Sequence, residues 1–250
     1  PSALRAWPLV AGVTTGLVTL AGFALPPVLR LRGVPPLRVL RRDLLPLPNQ
    51  AWLVYGAALL AVVAVVYLKQ RGPEGLRGQL WRGALMLLAI AALFGAIGHG
   101  MVLGKVVYDI VWACAYLALA LLVAFFLLAT IRDLAGDTRA RRALPILLVV
   151  AVAFFGYAML DPENFLPFIL YELTAMTLSL AGFARITLRG DLPGAAWITA
   201  SIAVNILAAA IQAEGSAAFT LIWPFDHNGV FHLVQMLAIG LLVVGLKERD

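Results

Sequence analysis

Apolar residues run along this chain in blocks too long for ordinary strands and too continuous for a surface helix. Eight such segments are legible, at about 7–29, 51–68, 84–104, 108–130, 144–160, 165–188, 195–213 and 229–246. A helix needs roughly 17–25 residues to cross a hydrocarbon core, and these blocks match that length. Alternating ten-residue strands are missing, which argues against a barrel. The pattern predicts an all-α polytopic transmembrane helix bundle in one integral membrane domain, residues 1–250. A seven-helix core would occupy 51–246, preceded within 1–50 by one extra helix and a basic linker. Trp7, Trp52, Tyr67, Tyr108, Trp197 and Trp223 fall near segment ends, as an interfacial aromatic belt would.

Composition agrees. The chain is 62% hydrophobic and only 13% charged, where a soluble domain carries about 25% charged residues. Mean hydropathy is +0.94. A net charge of +6 would point to nucleic acid in a soluble protein. Here the arginines cluster in short loops, so they orient the chain and no nucleic-acid partner is expected. A single cysteine, Cys114, excludes an internal disulfide. No Gly-rich phosphate loop is present.

The positive-inside rule sets an orientation. Arg132, Arg139, Arg141 and Arg142 occupy one loop, Arg185 and Arg189 border another, and Lys247 and Arg249 lie in the tail. By alternation these and the stretch from Lys69 to Arg82 share the cytoplasmic side, with the carboxyl terminus, of an inner or plasma membrane. Asp161, Glu163, Glu214 and Asp226 fall on the other side. The linker RLRGVPPLRVLRRDLLPLP carries five arginines and breaks this pattern, as a surface-lying amphipathic piece would.

Against this apolar background, polar residues at membrane depth are expensive and are candidate functional groups. His99, Asp109, Glu172, Asn205, Gln212, His232 and Gln235 interrupt five of the segments. Counted at 1.5 Å per residue, all lie within roughly 12 Å of the non-cytoplasmic surface. Asp226, His227 and Asn228 stand just before the last segment, in WPFDHNGVFHLVQ. Each has a plainer reading. Asp226 can cap a helix, Asn228-Gly229 can form a turn, and Asn205, Gln212 and Gln235 can join helices.

Three imidazoles with nearby carboxylates suit zinc, which takes three protein ligands and an open water position when catalytic. His227 and His232 would stand about 140° apart on one continuous helix. Shared ligation therefore expects His227 to precede that helix and fold over its end. The order of a His ending one helix, an Asp ten residues later and a His pair opening the last helix resembles the CREST superfamily of seven-helix membrane hydrolases. That group includes alkaline ceramidases, the progestin and adipoQ receptors and hemolysin-III-like proteins. The resemblance implies zinc ligation by His99, His227 and His232, and a hydrogen bond from the metal-bound water to Asp109. It also implies hydrolysis of a lipid amide or related membrane-embedded substrate. Gly95 stands where the family has Ser, and Asn228 stands where it has the first His of its final pair. Glu172 has no role to inherit and enters as a second acid–base candidate.

The same residues allow two other classes. In a transporter or channel, Glu172, Asn205 and Gln212 would line a polar cavity and the histidines would relay protons. In a ligand-sensing receptor the pocket would bind without turnover.

Overall fold

A computed structural model describes residues 49–247, except 102, 163, 165, 215–217, 221–223 and 226. The expected extra helix and basic linker, Asp226, and the side chain of Asn228 lie outside the described residues.

Among the described residues the chain forms seven long helices: α1 (Asn49–Arg71), α2 (Gly75–Gly100), α3 (Lys105–Ala135), α4 (Asp137–Ala158), α5 (Leu166–Arg189), α6 (Ala195–Glu214) and α7 (His227–Lys247). All seven are long and apolar enough to cross a membrane, and the chain reads as an integral membrane protein. A minimal antiparallel ladder pairs β1 (Phe219–Thr220) with β2 (Pro224–Phe225) between α6 and α7.

Two elements differ from the apolar pattern in an instructive way. The third segment was expected at about 84–104, but α2 begins at Gly75 and ends at Gly100. Its polar first turns are helical because Arg77 and Arg82 find partners inside the protein. Its end falls among Gly98, Gly100 and Gly104, where helix propensity is low, and Met101 is already extended. The last helix starts at His227, so Asn228-Gly229 is helical and not a turn.

Helices α1, α2, α3, α5, α6 and α7 pack in a closed ring, each against the next, with α1 returning to α7. Helix α4 packs on the outside of α3 and buries little of its surface. The deepest packing surrounds Trp81, fully buried on α2, which meets Phe126 edge to face with ring centroids 5.4 Å apart and also touches Phe183. Helices in lipid gain little from hydrophobic burial against each other, so hydroxyl bonds and small residues join them. Thr130 donates to Ser179 at 3.1 Å between α3 and α5. Ser201 donates to the Ala238 carbonyl at 2.7 Å between α6 and α7. Gly194 holds a positive φ of 77°, and a Cβ there would lie 2.0 Å from the Gly245 carbonyl oxygen. That contact sets how closely the α6 start approaches α7. Exposed Leu, Ile and Val side chains cover the outer faces. Tyr67, Tyr108 and Trp197 are exposed near helix ends, as the aromatic-belt reading expects.

Charge divides the two ends. Every described Arg, with Lys69 and Lys247, lies at the α1–α2, α3–α4, α5–α6 and carboxyl-terminal end, called here the basic end. Lys105 is the described Lys at the opposite end.

Candidate functional site: a polar cavity inside the bundle

Helix α5 turns a consistent face inward. Glu172, Ala175, Met176, Ser179 and Phe183 recur at three- and four-residue spacing. The last two are fully buried, and the first three line a cavity of about 70 Å³. Ser201 and Asn205 from α6 and Gln235 from α7 also reach its wall, and α2 and α3 close it with apolar groups. The Glu172 carboxyl is hydrogen-bonded to the Asn205 side chain. Gln235 is held from its own helix, with Oε1 3.2 Å from His232 Nδ1 one turn nearer the end.

Depth is shared as well as direction. Glu172 is six residues inside α5, Asn205 nine from the end of α6 and Gln235 eight inside α7. At 1.5 Å per residue all three lie roughly 9–13 Å below the end opposite the basic one. Toward the basic end the cavity is closed by Phe126 in its wall and, beyond it, Trp81 and Phe183. The space is large enough to hold several waters or a small cation.

The remaining sequence candidates are not brought to this cavity. His99 is exposed near the α2 end and packs edge-on against Trp112 of α3, centroids 5.0 Å apart. Asp109 is exposed and bonded to Lys105 at 2.9 Å, one turn away on the same helix. Gln212 is half-buried two residues from the α6 end and does not line the cavity. His227 and His232 sit on one continuous helix, about 140° apart. The fold-back that shared ligation needs is therefore not made. Among the described residues no three His, Cys, Asp or Glu side chains gather into a metal-holding group. The donor set expected for zinc does not fit as placed.

The sequence reading passed over a second polar centre, at the basic end. Asp133 has a fully buried side chain on α3. It accepts the Trp81 indole N–H at 3.0 Å and lies 3.0 Å from Arg77 Nε on α2 and 3.2 Å from Arg132 Nη1. Arg132 also reaches Asp137 at 3.0 Å. The available signal was Asp133 following the apolar run FFLLATI, four residues before Asp137. Arginines in short loops orient the chain, and that role gives no sign of a buried partner.

No curated protein and no solved structure matches this chain. Residues 55–250 match the model of a family of unknown function, DUF6962, and the chain belongs to that family.

Proposed function

We propose that this protein is a transporter or channel that takes a small cation or a proton at Glu172. The observation that carries the reading is a carboxyl group, bonded to Asn205, in the wall of a cavity between five helices. Ionisable groups at membrane depth mark ion and proton pathways. An uncompensated carboxylate there would be costly, so the site takes a positive charge. Asn205 and Gln235 supply neutral oxygens and amides that can replace part of a cation's hydration. The cavity has room for an ion with a few waters.

His232, bonded to Gln235, links the cavity to the α7 start and makes a route of entry from that end. By the positive-inside rule the basic end and carboxyl terminus face the cytoplasm, and entry is from the other side. The layer of Trp81, Phe126 and Phe183 is then the barrier that opens for passage.

Purified protein in liposomes loaded in turn with pH-, Na⁺- and K⁺-sensitive dyes tests this. Proton, Na⁺ and K⁺ gradients are imposed in turn. One of the three should drive flux that Glu172→Gln abolishes while the helical signal stays intact. Flux equal in wild type and Glu172→Gln, or no flux of any of the three, overturns the reading.

A further inference from the structure

Two cavities approach each other inside the bundle. The inner one has Glu172 in its wall. The outer one, of about 700 Å³, opens at the basic end and is lined in part by Arg77, Arg132 and Leu246. On α2, Arg77, Trp81 and Leu85 follow at four-residue spacing along one face. Arg77 lines the outer cavity and Leu85 the inner. Trp81 therefore stands in a partition roughly 12 Å thick along α2. On α7 the change comes within one turn, from Leu242 to Leu246. We infer that Trp81 gates the inner cavity toward the basic end, and that Asp133 is the positioning residue that holds it shut. What passes the gate rests on the transport reading of Glu172; access to the cavity is measurable without it.

Three rings form the partition, and one of them has a directional bond. Phe126 and Phe183 are held by packing. The Trp81 indole has one N–H, and it donates to Asp133 Oδ2 at 3.0 Å. A bond that is either made or broken gives the ring two distinct arrangements, which a gate needs. The acceptor is anchored independently. Asp133 Oδ1 lies 3.0 Å from Arg77 Nε and 3.2 Å from Arg132 Nη1. Arg132 Nε is in turn 3.0 Å from Asp137 Oδ1 at the start of α4. The carboxylate stays fixed through its other oxygen when the indole lets go. Release breaks one hydrogen bond and no ion pair.

The ring has somewhere to go. Trp81 meets Phe126 edge to face at 5.4 Å, and Phe126 lines the inner cavity, so the indole lies directly behind that wall. Phe126 blocks movement inward. Toward the basic end the outer cavity begins one turn away, at Arg77, and has the volume of an ordinary small-molecule site. Turning the indole into that space uncovers Phe126 and joins the two cavities.

The test reads access to the inner cavity from each side, using the full chain in sealed vesicles. Cys114, the one cysteine in the sequence, is replaced by Ala, and Ser201→Cys puts a thiol in the cavity wall. A small, membrane-impermeant cationic methanethiosulfonate is added outside vesicles of either orientation. Exposed Arg139→Cys, in a parallel sample, identifies those whose basic end faces the reagent. Trp81→Phe removes the N–H. Trp81→3-benzothienylalanine removes it and keeps the shape of the ring, so it answers where Trp81→Phe fails to fold. With Trp81 intact, labelling from the basic end should be slow. Both variants should speed it by roughly tenfold, the value of a hydrogen bond to a charged group. Labelling from the opposite end should not change. Gly190→Ala, strained at a positive φ of 70° but away from the latch, should leave both rates unchanged. Fast labelling from the basic end with Trp81 intact overturns the proposal. So does an unchanged rate in the benzothienyl variant, or an equal rise from both ends or in Gly190→Ala. Ion flux is recorded on protein that keeps Ser201. Faster labelling where no ion flows supports the gate and removes the transport reading.

Discussion

The Trp81 indole donates to Asp133 Oδ2 at 3.0 Å, while the other oxygen of that carboxylate meets Arg77 at 3.0 Å. One fully buried side chain on α3 thus holds two residues of α2 one turn apart. Removing one partner of a buried ion pair leaves an uncompensated charge, at a cost of about 3–5 kcal/mol. Asp133→Ala should lose that much, because Arg77 is almost completely buried. Replacing the pair together, as Arg77→Met with Asp133→Leu, should recover much of the loss, since both the charge and its desolvation cost are gone. Unfolding in mixed detergent micelles measures both. Equal destabilisation by the single and double variants would show that the pair is not the source of the effect.

Glu172 and Asn205 join α5 to α6 across the cavity wall. Polar bonds between membrane helices are worth about 0.6 kcal/mol on average and up to about 1.7, because the unfolded helices also find partners. A double-mutant cycle with Glu172→Leu and Asn205→Leu should give a coupling energy in that range. Ion flux should respond far more steeply than stability. A coupling indistinguishable from zero would mean that the two side chains do not act together.

The helices were legible because apolar length alone limits where a membrane segment can lie. Polar depth was legible too, and Glu172, Asn205 and Gln235 do reach one cavity. Depth says nothing of direction around a helix. His99 and Asp109 lie at the expected level, yet both are exposed. Their azimuth depends on which face of α2 and α3 packs inward. That face is set by Trp81, Leu85 and Phe126 further along the helices. The Asp133 centre stayed hidden for the opposite reason. A residue near a segment end reads as interfacial, and only the fold of α2 against α3 buries it.

Gly194 and Gly190 separate two effects that sequence cannot tell apart. Both have positive φ, 77° and 70°. Around Gly190 a Cβ would meet open space, whereas at Gly194 it would strike the Gly245 backbone. Gly190→Ala should therefore cost only the left-handed penalty, about 1–2 kcal/mol. Gly194→Ala adds a clash that two helix backbones must move to relieve. Its loss should be clearly larger, and contact between α6 and α7 should loosen. Thermal melts of the two variants in one detergent decide this. Equal losses would mean that the α6–α7 approach yields easily.

The zinc expectation has its own direct test. The imidazoles of His99, His227 and His232 do not share a ligating geometry, and Asp109 is committed to Lys105 in an exposed pair whose side chains are 86% and 54% accessible for Lys and Asp. Exposed pairs of this kind contribute little, so Asp109→Ala should leave the melting temperature unchanged within error. Purified wild-type protein should hold zinc well below one equivalent after dialysis against trace metal. His99→Ala and His232→Ala should not lower that background. His232→Ala should instead act through Gln235, whose Oε1 it faces at 3.2 Å, and alter flux through the cavity. Stoichiometric zinc lost in both His variants would mean that the helix ends rearrange to bring the two rings together, and the resemblance to membrane hydrolases would regain its footing.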